Sequence, residues 1–411
     1  YINIPIVAAA FAGALWAIRE SRDPHTRRYF DVPGTLLGGL GLGALVFGII
    51  EGQGYGWWQP AKQFTLLGWE WPSQAISIVP VSIALGVVLL AIFTWYERLL
   101  ERRGSEPLFE FGLLRYRSYR YGMIIGLIVN LGEIGLLFAV SLYLQGTKGL
   151  SAFETGLALL PLAIMAFIGA PVAGAFSVRS GPKWIVTTGM ILEVIALLIL
   201  FAVIDPAVST NTIALVLGLY GLGLGLAIAQ LTSLVLYDIP GPKAGIASGG
   251  NSTIRQVGAA LGIAIIGTAL TTTTENRLTA SFTSSATLAP PILAMEDAFI
   301  EMAKQPVNFD FAEMLSAGPP AGMIGLSEAG SPPPGMAGGS GEGAAAGGLD
   351  LRAQGAEVGR LVLDARTEAM SYAALVAAIF VAIGALSSLM LPNPRERAPA
   401  SARAHSPAAA D

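Results

Sequence analysis

Two acidic residues stand near the middle of long apolar runs: Glu133 within 119–144 and Glu193 within 184–204. Asn130 lies three residues before Glu133, and Gly122 and Gly126 continue the same helical stripe. Gly189 stands one turn before Glu193. An ionised group at mid-bilayer costs at least ~2.5 kcal/mol on insertion scales, so an acid retained there points to a function. No Lys or Arg falls at comparable depth in any apolar run, so both acids are expected to lack a cationic partner. A carboxyl group stripped of water prefers its neutral form. It can hold a proton and give it up when exposed to the other side or when a cationic substrate arrives. That is the physical requirement for exchanging protons against a substrate. The alternatives are a protonated Glu133 hydrogen-bonded to a neighbouring helix, and a packing or snorkelled role for Glu193. Gln230, within 212–237, is an uncharged candidate for binding substrate or bracing a helix contact. Gln145 and Tyr143 end their run and are read as structural, and Asp31 and Glu51 as interfacial caps or anchors.

These side chains need elements to hold them. The chain has 411 residues, 53% hydrophobic and only 13% charged. Soluble domains carry roughly twice that charged fraction. A run of ~20 apolar residues spans the hydrocarbon core as a helix. Nine such spans are read at about 2–18, 33–50, 76–96, 119–144, 155–177, 184–204, 212–237, 254–271 and 371–391. The residue mix favours helices over alternating barrel strands. Small residues recur at helical spacing, as in Gly34/Gly38, Gly39/Gly43, Gly122/Gly126, Gly221/Gly225 and Gly258/Gly262, which lets helix backbones approach closely in lipid. Ser151-Ala152-Phe153-Glu154 has capping-box spacing and predicts a helix start. Asn251-Ser252-Thr253 fits a glycosylation triplet, read as a chance match.

The chain has no Cys, and its two histidines, His25 and His405, lie in charged or Pro/Ala-rich segments, which argues against disulfides, zinc and haem. No cofactor is expected. No phosphate-binding loop, nucleophile–base pair or concentrated basic surface is present, which argues against ATP use, enzyme chemistry and nucleic-acid binding. The expected partners are the lipid bilayer, protons and a small-molecule substrate.

Charge placement gives an orientation. With the loop after the first span in the cytoplasm, the inner segments collect Arg19, Arg22, Arg27 and Arg28, then Arg98, Arg102, Arg103, Arg115, Arg117 and Arg120. Arg179, Lys183, Lys243 and Arg255 follow, then Arg395, Arg397 and Arg403. Short outer loops hold only Lys62 and Lys148, as the positive-inside rule requires. The carboxy terminus is then cytoplasmic. Residues 272–368 form a long outer segment with helical pieces such as Met295 to Lys304. Its Pro/Gly/Ala-rich middle, from Ala317 to Gly348, is expected to be disordered. The periodicity of Leu351 to Ala369 predicts an outward helical extension of the last span, and the tail 392–411 is expected to be disordered beyond Pro392.

Several stretches resemble the major facilitator superfamily, specifically its fourteen-helix drug:proton antiporter branch. Asn3-Ile4-Pro5 is similar to the start of that branch's sixth helix, and Ser21-Arg22-Asp23-Pro24 with Asp31-Val32-Pro33-Gly34 to its following loop and seventh helix. Tyr143-Leu144-Gln145, Gly149-Leu150-Ser151 and Thr155-Gly156-Leu157-Ala158-Leu159-Leu160-Pro161 form one specific block. Ala244-Gly245-Ile246-Ala247-Ser248-Gly249, leading to Arg255-Gln256-Val257-Gly258, forms another. The resemblance implies an all-α membrane protein: a carboxy-terminal six-helix bundle plus preceding helices, in a chain truncated at its amino terminus. Residues 1–18 would be the last helix of an amino-terminal bundle. Residues 19–118 would hold loops and two extra central helices, 119–271 five helices of the carboxy-terminal bundle, and 369–391 its last. Two inverted three-helix repeats are expected at about 119–204 and 212–391.

Gly174 to Lys183 resembles the family's short cytoplasmic gating loop, which implies a gating role for Arg179 and Lys183. Val178 stands where the family usually has an acid. Arg255 and Gln256 belong to a family motif at a helix start, which implies a conformational role. The resulting expectation is proton-coupled efflux of small lipophilic compounds, cationic or neutral, across the cell membrane. The rival is a non-transporting sensor or scaffold built on the same fold.

Overall fold

The computed structural model describes residues 3–17, 31–66, 68–72, 76–105, 107–304, 309–317 and 350–393. The loop basic residues Arg19 to Arg28, the Pro/Gly/Ala-rich stretch 318–349 and the tail beyond Asn393 lie outside the described residues. The described residues are almost wholly helical. Eight helices are long and apolar enough to cross a membrane, and a shorter apolar helix precedes them. Each of the nine expected spans overlaps a helix among the described residues. This is an all-α, multi-pass membrane protein.

Helix α1 (Asn3–Ala17) exposes its apolar side chains, among them Phe11, Leu15 and Trp16. Helices α2 (Val32–Tyr55) and α3 (Ile78–Arg102) pack on each other as a pair, joined through a two-residue-per-strand hairpin, Thr65–Leu66 with Trp69–Glu70. Their close approach runs through Gly41 and Gly86. A Cβ on Gly86 would stand 2.6 Å from the Leu45 nitrogen, whereas Gly39 and Gly43 face open space. The spacing alone did not reveal which glycines of this run make the contact.

After a 3-10 turn (Phe111–Arg115) comes the bundle: α4 (Arg117–Gly146), α5 (Ala152–Ser180), α6 (Pro182–Val203), α7 (Thr210–Val235) and α8 (Ala244–Ser284). Short helices α9 (Pro290–Leu293), α10 (Glu296–Ala303) and α11 (Phe311–Ala317) lead towards α12 (Leu351–Ser388). The predicted capping box opens α5: Ser151 Oγ accepts from the Glu154 amide at 3.2 Å, and Glu154 Oε2 accepts from the Ser151 amide at 2.9 Å.

The pairing inside the bundle has internal symmetry. Helix α5 packs along α7 and α4 along α8; α6 packs on α7 and α12 on α4; α6 and α12 pack on each other. Exchanging α4–α5–α6 for α7–α8–α12 maps this set of contacts onto itself. The chain alternates direction, so the two units run in opposite senses, which is the arrangement of inverted repeats. Each parallel pair closes on a glycine pair. Side chains on Gly221 and Gly225 would overlap the Leu162 and Ala166 carbonyls, and side chains on Gly258 and Gly262 would overlap those of Leu127 and Leu131.

Alternation gathers one end of the bundle around Arg102, Arg117, Arg179, Lys183 and Lys243, here called the basic end. At the opposite, far end the helical pieces expected around Met295 to Lys304 and the helical extension over Leu351 to Ala369 both fall on helices, and they pack into a layer that the expectation did not include. With 41 and 38 residues, α8 and α12 run about 60 Å each at 1.5 Å per residue, roughly twice the hydrocarbon thickness. Their projecting halves and α9–α11 enclose a second hydrophobic core that includes Leu278, Phe282, Ile292, Phe299, Phe311 and Val362. Phe282 stacks on Phe299 with ring centroids 5.9 Å apart. Arg277 pairs with Glu368, and Lys304 with Glu275 at 3.2 Å. Arg366, 9% exposed, fastens this layer to the bundle. It donates to the carbonyls of Ala303 at 3.0 Å and of Met302 at 3.4 Å, and to Gly146 at the end of α4.

Candidate functional site

The bundle interior is built by α4 to α8 and α12, with the two acids on α4 and α6. Glycines on α6 and α7 bring those two helices together: a Cβ on Gly189 would stand 2.6 Å from the Gly223 carbonyl oxygen. The same contact seats the acid one turn further on. A Cβ on Gly223 would come within 2.9 Å of Glu193 Cγ, so the glycine leaves room for the Glu193 stem.

Glu193 is 0% exposed, and neither carboxyl oxygen has a hydrogen-bond partner among the described residues. Tyr220, three residues before Gly223 on α7, is 1% exposed, and its hydroxyl has no hydrogen-bond partner either. Glu133 on α4 is partly buried and lies close enough to interact electrostatically with both Glu193 and Tyr220. The centre of the bundle therefore holds two carboxyls and a phenol.

Arg255 on α8 corrects the expectation of an interior without cations. Its side chain runs along α4, with Cγ 3.5 Å from where a Gly126 Cβ would stand, and its charge reaches Glu133. The sequence position of Arg255 marks where its backbone starts, not how far a long side chain extends along a groove. Glu133 thus has a cation in its field, and Glu193 is the acid with neither cation nor donor in contact.

The remaining predicted residues separate from this centre. Asn130 is buried, and its amide donates to the Gly126 carbonyl of its own helix at 3.0 Å, which ties it to α4. Gln230 continues the α7 stripe of Tyr220, Gly223 and Ala227 but lies about 15 Å along the axis from Tyr220, partly buried. Gln256 is exposed on α8 while its neighbour Arg255 points towards α4, so the structure divides that motif between two faces. Arg179 is exposed in the last turn of α5, where a cation complements a helix carboxy terminus. Lys183 opens α6, with its ammonium 5.6 Å from the Trp184 ring centroid. Both lie at the basic end, with Lys183 about 15 Å along α6 from Glu193. Among the described residues no group of His, Cys, Asp and Glu could hold a metal ion.

Sequence reasoning missed Tyr220 and Asn251. A tyrosine in an apolar run reads as bulk, and only its place in the field of the acids gives it a role. Asn251 is buried against α4 near Arg255, and its Oδ1 has no hydrogen-bond partner among the described residues. Its glycosylation-like triplet is therefore not on an exposed loop.

The family model for the Major Facilitator Superfamily matches residues 6–263. The Multidrug resistance protein Stp of Mycobacterium tuberculosis is 30% identical over 66% of this chain and 46% of its own length. The Tetracenomycin C resistance and export protein of Streptomyces glaucescens is 30% identical over 65% of this chain and 46% of its own. The Probable actinorhodin transporter of Streptomyces coelicolor is 31% identical over 71% and 48%. The chain spans about half the length of these relatives. With a family match over most of its length and a six-helix bundle of paired inverted units, this chain belongs to the Major Facilitator Superfamily.

Proposed function

We propose that this chain takes part in proton-coupled efflux of small lipophilic compounds, cationic or neutral, across the cell membrane, with the basic end and the carboxy terminus in the cytoplasm. One observation carries the reading: Glu193 is sealed in the bundle, and among the described residues neither oxygen has a donor and no cation pairs with it. An ionised carboxylate in that position would lose several kcal/mol of hydration with nothing to offset it. A bound proton removes the charge. Loss of that proton requires a second conformation in which water, a cation or a substrate reaches the carboxyl, and alternating access supplies one.

Glu133 and Tyr220 complete the path. Glu133 is the more exposed acid and lies in the field of the Arg255 charge, so it can accept a proton leaving Glu193 with its own charge compensated. The names of the relatives, which speak of multidrug and tetracenomycin C resistance, support efflux as the direction. Arg179 and Lys183 anchor the basic end and take part in its opening and closing.

The test uses cells producing the protein and a fluorescent lipophilic cation. They should accumulate less of it than control cells, and collapsing the proton gradient should abolish the difference. A difference that survives collapse of the gradient refutes proton coupling. Export of anions with cations ignored refutes the substrate class. The second reading, a non-transporting sensor or scaffold, is favoured by the separately packed far-end layer; it predicts no difference in accumulation at all.

A further inference from the structure

Away from the bundle centre, a second pair of acids is buried at the basic end of the α2–α3 pair. Asp31 is 5% exposed and caps α2, its Oδ1 accepting from the Gly34 amide at 2.9 Å and from the Tyr96 hydroxyl at 3.3 Å. Glu97 of α3 is 0% exposed, and its Oε2 accepts from the Phe109 amide at 3.2 Å. The other two oxygens, Asp31 Oδ2 and Glu97 Oε1, converge over Gly34, where no Cβ separates them. Among the described residues neither receives a donor. A Gly34 Cβ would stand 2.1 Å from Asp31 Oδ2 and 2.4 Å from Glu97 Oε1, so the two oxygens face each other at no more than 4.5 Å. Two carboxylate oxygens are both acceptors, so a bond between them requires a proton on one.

Other charged groups nearby are engaged elsewhere. Arg98 lies 5.0 Å from the Phe111 ring centroid, Glu101 accepts from the Gly112 amide at 3.1 Å, and Glu110 pairs with Lys243. Asp31 is the charged group that faces Glu97 over Gly34, and the Phe109 amide faces its other oxygen.

We propose that Asp31 and Glu97 bind one proton between them, forming a site that latches the α2–α3 pair to the segment leading into α4. The latch reaches the bundle through Phe109. A Cβ on Gly250 of α8 would stand 2.6 Å from the Phe109 ring and 2.5 Å from the Tyr119 hydroxyl, which itself donates to the Ala247 carbonyl at 3.2 Å. The bound proton thus holds Glu97 in place, Glu97 holds the Phe109 amide, and the Phe109 ring sits where α4 meets α8. When the pair loses its proton to solvent at the basic end, two like charges face each other over Gly34 and the latch opens. The closed form holds one more proton than the open form, so it is favoured as pH falls and lost as pH rises. This site stands independently of the transport reading.

The test is hydrogen exchange of residues 107–116 in the purified protein in lipid nanodiscs, corrected for the intrinsic rise of exchange with pH. The opening constant of the wild type should climb with pH by up to about tenfold per pH unit while the pair loses its proton. Glu97→Gln, whose carboxamide supplies the missing donor to Asp31, should flatten that slope. A pH-independent wild type, or a Glu97→Gln variant with the wild-type slope, overturns the proposal. Should Glu97→Gln not fold, Asp31→Asn makes the same comparison. The infrared difference between wild type and that variant should contain the carbonyl stretch of a protonated carboxyl; its absence over the whole pH range also overturns the proposal.

Discussion

Gly223 of α7 lies directly against Glu193 of α6: a Cβ there would stand 2.9 Å from Glu193 Cγ and 2.6 Å from the Gly189 carbonyl oxygen. The second contact is with backbone, which cannot swing aside as a side chain can. Gly223→Ala should therefore push α6 and α7 apart and destabilise the bundle by about 1–3 kcal/mol. Thermal unfolding in detergent reads this directly. An unchanged melting temperature would mean the two helices are not as close as described.

Tyr220→Phe has the opposite sign for stability. The hydroxyl it removes is buried without a hydrogen-bond partner among the described residues, so its loss should be neutral or should stabilise by about 1 kcal/mol. If the phenol faces the acids as described, efflux should change its dependence on external pH while the protein stays folded. A large loss of stability would reveal a partner for the hydroxyl and remove it from the proton path.

Arg366 should control the far-end layer separately from the bundle. Arg366→Ala leaves the Ala303 and Gly146 carbonyls without this donor, at about 1–3 kcal/mol for each that stays buried and unpaired. Hydrogen exchange of 290–303 should accelerate sharply while α4 and α8 near Gly258 and Gly262 keep their protection. Equal acceleration in both regions would show that the far-end layer and the bundle unfold as one unit.

Much of this architecture was legible from single stretches of sequence. The apolar runs gave the helices, Ser151 to Glu154 gave the start of α5, and Gly221/Gly225 and Gly258/Gly262 gave the two closest helix contacts. What stayed hidden depends on residues distant in sequence. The second core unites Leu278 and Phe282 with Val358 and Val362, some eighty positions apart, with no periodicity linking them. Asp31 reads as an interfacial residue, and Glu97, some sixty-six positions later, gains its place beside it only once α2 and α3 are paired. Glu133 and Glu193 could both be found as acids in apolar runs. Which of them lacks a cation could not, because that depends on where the Arg255 side chain runs.

Proton coupling, as proposed, depends on an exchangeable proton on the Glu193 carboxyl. Glu193→Gln keeps the shape and removes the titratable group, so the variant should fold and reach the membrane normally. The decisive measurement is proton movement per substrate exported in membrane vesicles containing wild type or Glu193→Gln. Glu193→Gln should lose proton-linked export, with at most downhill movement of substrate remaining. Full proton-linked export by Glu193→Gln, at the wild-type ratio, would contradict it.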